Sequence, residues 1–306
     1  MRLNILGEDP LEKQYAESLE WFLTSKTLMP NRTGIDTYVK THQYFRYWAN
    51  IDFPLLRCKK VYPKLALKEL LWMLQGRTDL KWLHDHKVTY WDEWELADGT
   101  IGKSYGYQYR NFNGVDQLNE LVYNMIDNPT DRRLIISLWN PHDMPEMALP
   151  PCQFLYQFTC EKSSKGNNVW LVSLHTLQRS GDSFLGVPYN FVFNGFFLTI
   201  MCDMCNKLSS KEQMFIPCNV HHTINNYHLY VNHLDAVHQY LHNYHDPENK
   251  VNNDEVKCFI EVPKSKATSL DAYLSYLSDN IDNENVVMIT KGVQDQYGPI
   301  KADIAV

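Results

Sequence analysis

Cys152 closes the run Ala148-Leu149-Pro150-Pro151-Cys152. Each proline fixes its own φ and biases its predecessor toward extended geometry, so the thiol sits on a restricted backbone and can be aimed as a nucleophile. Taken alone, a cysteine is more often a small buried hydrophobe. Gln178-Arg179-Ser180-Gly181-Asp182 offers a charged fork and a hydroxyl suited to a phosphate, and a cation near Cys152 would favour its thiolate. Arg132-Arg133 beside Asp131, and Arg32 in a turn before Gly34, are further cations; by themselves such arginines are ordinarily solvated surface features. Glu69, followed by Leu70-Leu71-Trp72, is either a buried carboxyl whose raised pKa suits proton transfer or a carboxylate at a helix's solvent edge. Trp91-Asp92-Glu93-Trp94 is either core packing or a platform for a flat ring.

These residues need elements to hold them. Tyr15, Leu19 and Phe22 follow Pro10 at helical spacing and predict a helix over Leu11 to Leu28, with a polar turn at Pro30 to Gly34. Leu67, Leu70, Leu71 and Leu74 predict a second helix over Leu65 to Leu74 that carries Glu69 and stops at Gly76. Leu134 to Trp139, Phe154 to Phe158 and Val169 to Leu177 read as strands, the last two joined by the polar turn Glu161 to Asn168. Long helices are expected at Asn190 to Lys207 and at Leu229 to Tyr244, and a surface loop at His245 to Lys257. The class is α+β. Cys202-x-x-Cys205 lies in the apolar helix with no second pair at zinc-ribbon spacing, which favours core packing over a metal site.

Composition narrows the function classes. At 44% hydrophobic and 21% charged residues, the 306-residue chain is globular and can bury a large core. No composition break or repeat divides it, so residues 1–306 are expected to form one domain. A net charge of −7 argues against a general nucleic-acid binder but leaves room for a small anion held by a few arginines. Met1 to Pro10 lacks the apolar core of a signal peptide and no stretch approaches a membrane span, so a cytoplasmic location is expected, the host's if the source is viral. Seven cysteines at irregular spacing fit reduced thiols better than a disulfide framework.

Four segments in order resemble the thymidylate synthase family: Ala148 to Cys152, Gln178-Arg179-Ser180-Gly181-Asp182-Ser183-Phe184-Leu185-Gly186-Val187-Pro188-Tyr189-Asn190, His228-Leu229-Tyr230, and the ending Ile304-Ala305-Val306. The resemblance runs from about Arg32 to the C-terminus. It implies a mixed β-sheet packed by helices, a homodimer formed through the sheet, and one-carbon transfer from 5,10-methylenetetrahydrofolate to C5 of dUMP without a metal. Cys152 would add to C6 of the pyrimidine. Arg32, Arg179 and Ser180 would hold the phosphate with the partner subunit's Arg132 and Arg133. Asn190 would pair with the pyrimidine edge, an amide pattern that fits uracil better than cytosine. His228 and Tyr230 would take the sugar hydroxyl, and Gln178 and Asp182 belong to the same nucleotide site. Glu69 would manage protons, and Tyr105 stands among the catalytic positions. Trp91, Trp94, Asp182, Leu185, Gly186 and Tyr189 would surround the folate, with the tail at Ala305 closing over it.

The sequence departs from the family where Gln153 replaces the usual histidine, Leu177 the usual tyrosine, and Asn225-Asn226 the usual Gly-Asp. Those positions tune water and proton traffic. The resemblance therefore implies a thymidylate synthase making dTMP and dihydrofolate, with a hydroxymethylase of dUMP, or less readily of dCMP, as the alternative. That alternative reaction, which yields a 5-hydroxymethyl nucleotide and tetrahydrofolate, is expected of a virus that modifies its DNA bases. A non-catalytic nucleotide- or RNA-binding relative is a remote third, disfavoured by the presence of Cys152, Glu69, Arg179 and Asn190 together.

Overall fold

A computed structural model of the protein describes residues 10–25, 27–164, 166, 168–248, 255–289 and 297–303. Helix α1 (Leu11–Thr24) turns Tyr15, Leu19 and Phe22 inward, as their spacing predicts. It stops short of Leu28, because Leu28–Met29 forms strand β1 against Thr37 and Tyr38 of β2 (Thr37–Trp48). Helix α2 (Pro63–Leu74) opens on a proline, which lacks only an N–H that the first turn leaves unpaired. Gly76 at φ +75° turns the chain out of it. Asp79 caps α3 (Leu80–Asp85) by accepting from the Trp82 N–H, and α4 (Gly106–Arg110) and α5 (Gln117–Asp127) follow. After β3 (Ile135–Ser137) come β4 (Gln153–Lys162), β5 (Val169–Gln178) and the two-residue β6 (Gly181–Asp182). The chain continues through α6 (Gly186–Leu208), β7 (Met214–Tyr230), α7 (Leu234–His245), β8 (Cys258–Ile260), α8 (Leu270–Asp279) and β9 (Val287–Ile289).

The main sheet is mixed, in the order β1-β2-β7-β5-β4-β3, with β6 also on β7. Its antiparallel neighbours are interrupted by the parallel pair β5 and β7, for which α6 is the crossover. Helix α6 is buried along most of its length, from Val187 to Cys205, which explains an apolar sequence with no polar face. Cys202 and Cys205 are core residues, as expected. The architecture is α+β, and the buried side chains form one hydrophobic cluster. Among the described residues no helix is long and apolar enough to cross a membrane.

Two of the longest elements, β2 and β7, have no counterpart among the strands expected from sequence. The helix expected from Leu229 begins only at Leu234, because Leu229 and Tyr230 complete β7 opposite Tyr38 and Thr37. Strand β7 is rich in His and Asn, includes Pro217, shifts register against β5 near that proline, and passes through Asn226 at φ +45°. Each feature weakens or breaks the alternation by which a strand is recognised. Helix α6 starts a turn before Asn190, and the predicted turn from Glu161 starts later, since β4 runs to Lys162.

One close approach fixes the wall on which the site is built. At Gly106, the first residue of α4, an added Cβ would lie 2.1 Å from the Arg77 carbonyl oxygen. Gly106→Ala is expected to push α4 off the end of α2 and destabilise the protein by about 1–3 kcal/mol, read from the urea midpoint.

Candidate active site

Cys152 immediately precedes β4, and its backbone is held from both sides. Its N–H donates to Tyr105 Oη at 2.8 Å, and its carbonyl accepts from the Arg179 N–H at 2.8 Å. The Arg179 guanidinium donates through Nε to the Pro151 carbonyl at 3.0 Å and through Nη2 to the Pro150 carbonyl at 2.8 Å. Nη2 also lies 3.8 Å from Cys152 Sγ. A guanidinium has five N–H donors, so the Nη1 amino group remains for an anion. Tyr105 is itself held at φ +22°, an unusual conformation for a non-glycine residue, directly ahead of α4.

The expectation that a nearby cation would favour the Cys152 thiolate holds for Arg179, but burial opposes it. Burial pushes the thiol up, and Arg179, Tyr105 and Arg32, which pull it down, do not fully offset burial. The net direction in the ligand-free protein is toward the protonated thiol.

Glu69 and Cys152 line the same cavity, together with Trp91, Tyr105 and Asn190. The cavity volume is about 50 Å³, room for a few waters at roughly 10–15 Å³ each. Glu69 falls between the two alternatives, half-buried while lining this cavity. Burial raises its pKa, opposed by O–H donation from Tyr90 at 2.8 Å and N–H donation from Trp91 Nε1 at 2.9 Å. The tryptophans are both packing and wall: Trp91 meets Tyr105 and Trp94 edge-on, with centroids 5.5 Å apart in each pair.

Asn190 stands in the first turns of α6, and its Oδ1 accepts from Gln178 Nε2 at 3.1 Å. The same Nε2 donates to the Ser180 carbonyl at 2.8 Å. Glycine at 181 leaves room for this, since a Cβ there would lie 3.0 Å from Gln178 Nε2. Asp182 accepts from the N–H groups of Phe184 and Leu185 and so shapes the entry to α6, where Leu185, Gly186 and Tyr189 follow. His228 and Tyr230 lie near the end of β7 with ring centroids 5.2 Å apart, and burial and the charge of Asp182, opposed by Arg32, raise the Tyr230 pKa.

Arg132 and Arg133 are not brought to this cavity within one chain. Both are exposed, and Arg133 pairs with Asp131 at 3.0 Å. Ala305 and the rest of the 304–306 tail lie outside the described residues. Three further cavity-lining residues, Met73, Tyr156 and Phe193, were not singled out in the sequence. Tyr156 and Gln153 both face inward although three apart on a strand, because β4 carries one extra residue between Gln153 and Leu155. No periodicity in the sequence signals that bulge.

A family model described as thymidylate synthase matches residues 13–281, so the match begins before Arg32, includes the cavity's residues and stops ahead of the C-terminal tail.

The raised thiol has a direct consequence for the ligand-free protein. Alkylation of Cys152 by iodoacetamide, followed by peptide mass analysis, is expected to stay slow at pH 7 and to accelerate only above the ordinary thiol range. In Arg179→Ala the rise should move to still higher pH; acceleration centred at or below pH 7 would contradict the geometry.

Proposed function

From the premise that the chain belongs to the thymidylate synthase family, folate-dependent one-carbon transferases acting on a pyrimidine nucleotide, we propose that it converts dUMP and 5,10-methylenetetrahydrofolate to dTMP and dihydrofolate. The observation that carries this is the meeting of Cys152, Glu69, Asn190 and Tyr105 around one cavity. In the proposed reaction the Cys152 thiol gives up its proton and Sγ bonds to C6 of the uracil, which leaves an electron pair at C5 for the new carbon–carbon bond. Asn190 donates from Nδ2 to O4 and accepts N3–H at Oδ1. Arg179 and Ser180, with Arg32, hold the phosphate, and His228 and Tyr230 the sugar hydroxyl. Glu69, with a pKa raised by burial, holds a proton near the ring and passes it through water in the cavity.

In this reading Trp91, which lines the cavity, and Trp94, Leu185 and Tyr189 face the folate. Trp91, Trp94, Leu185 and Tyr189 supply flat and apolar surface, the kind of wall on which a ring system stacks. The folate, when bound, supplies the one-carbon unit and the reducing hydride. Hydroxymethylation is the second reading, motivated by Gln153 in the cavity wall where the family usually has histidine. The two differ in whether water or hydride completes the exocyclic carbon, so product mass together with dihydrofolate absorbance separates them. The expected products are dTMP and dihydrofolate in equal amounts; 5-hydroxymethyl-dUMP without dihydrofolate would establish the second reading instead. Cys152→Ala is expected to lose turnover by roughly 10⁴-fold or more while still binding dUMP.

The exposure of Arg132 and Arg133 supports their serving the site of a partner subunit in a homodimer. Arg132→Ala/Arg133→Ala and Cys152→Ala proteins should each be nearly inactive, and refolding them together should restore activity through dimers with one complete site. Failure to restore it, with dimers present, would place the arginines elsewhere.

A further inference from the structure

Behind Asn190 runs a buried chain of hydrogen bonds that the proposed reaction does not use. Tyr156 Oη donates to Gln153 Oε1 at 3.5 Å, and Gln153 Nε2 donates to Asn194 Oδ1 at 3.0 Å. Asn194 Nδ2 donates to Tyr47 Oη at 3.2 Å, which lies 3.5 Å from His222 Nδ1. His222 Nε2 is 2.8 Å from Gln178 Oε1, and Gln178 Nε2 donates to Asn190 Oδ1. The side chains come from β4, α6, β2, β7 and β5 and return to α6, where Asn190 and Asn194 share one face at i and i+4. His222 and Asn194 have no exposed surface, and Tyr47, Gln153 and Gln178 have almost none.

Taken as a chain of amides, hydroxyls and an imidazole, the sequence of bonds could run in either direction. The Ser180 carbonyl removes that freedom. It can only accept, so the Gln178 atom 2.8 Å away is the amide nitrogen and Oε1 is turned to His222. His222 must then carry its hydrogen on Nε2 and accept at Nδ1 from Tyr47. Tyr47, having used its hydrogen, accepts from Asn194, and Asn194 in turn accepts from Gln153. Burial lowers the His222 pKa to about 3, so the imidazole stays neutral and can be donor on one side and acceptor on the other. At the near end, Gln178 Nε2 fixes Asn190 with Oδ1 toward Gln178, leaving Nδ2 and the second Oδ1 lone pair for a ligand. A flipped Asn190 would exchange donor and acceptor and so match a cytosine edge instead of a uracil edge.

We propose that His222, supported by Tyr47, Asn194 and Gln153, is a specificity-determining positioning residue: its Nε2–H on Gln178 Oε1 acts with the Ser180 carbonyl on Gln178 Nε2 to hold the amide that orients Asn190 to accept a uracil and reject a cytosine. This rests on the assignment of Asn190 to the pyrimidine edge. The test compares kcat/KM for dUMP and dCMP, each with methylenetetrahydrofolate, in the unaltered protein, His222→Phe and His222→Gln. A glutamine nitrogen can take the place of imidazole Nε2, whereas phenylalanine fills the space without a donor. In His222→Phe the dUMP-to-dCMP ratio is expected to fall by at least about tenfold. His222→Gln should keep the ratio within a few-fold. General loosening of the fold would lower both activities and leave the ratio unmoved, and an unchanged ratio in folded His222→Phe overturns the proposal. If the unaltered protein itself prefers dCMP, it is the assignment of Asn190 that fails. Should His222→Phe not fold, nitrogen NMR of the unaltered protein decides: a neutral His222 with hydrogen on Nε2 is expected, and hydrogen on Nδ1, or on both nitrogens at pH 7, overturns the relay.

Discussion

Two consecutive prolines leave the chain ahead of Cys152 without backbone donors, so the segment can be fixed only through its carbonyls, and Arg179 takes both of them. The guanidinium reaches them because Arg179 directly follows β5, whose last residue, Gln178, is paired with Gln153 at the start of β4. The thiol, the arginine beside it and the amide that orients Asn190 thus stand on two neighbouring strand ends. A third hold comes from Tyr105, whose hydroxyl accepts the first N–H after the prolines. The segment carrying Cys152 is therefore held by groups from two distant parts of the chain, Arg179 and Tyr105.

The same enclosure works against reactivity in the absence of a ligand. Burial keeps both the Cys152 thiol and the Glu69 carboxyl toward their protonated forms, since neither has a partner charge strong enough to offset the loss of water. Behind Asn190 the buried side chains of Tyr47, Gln153, Gln178 and Asn194 offer donors and acceptors without charge. The positive charge that acts on Cys152 comes from Arg179 and Arg32.

Residues with unusual local chemistry were legible in the sequence. Cys152 after two prolines, Glu69 in an apolar helix and Asn190 meet at one cavity, and α1, α2, β4 and β5 follow from spacing. What escaped notice depends on contacts between distant segments. Strands β2 and β7 hold His, Asn and Gln at positions where a strand is normally apolar, and those polar residues are tolerated only because partners such as Tyr47 and His222 meet across the sheet. His222 is an unremarkable histidine in a row of His and Asn until the fold places it beside Gln178. The sequence also could not show that Arg179 binds the prolines' carbonyls, because the two are brought together only by the register of β4 on β5.

The extra residue in β4 has a consequence of its own. By shifting the alternation between Gln153 and Leu155, it lets two residues on opposite sides of Phe154, Gln153 and Tyr156, share an interior that a regular strand would have granted to only one of them. Were Phe154 deleted, Gln153 and Tyr156 would stand two apart in a regular strand and still share that face, and what would be lost is the local bend and added twist that the bulge gives β4 directly after Cys152.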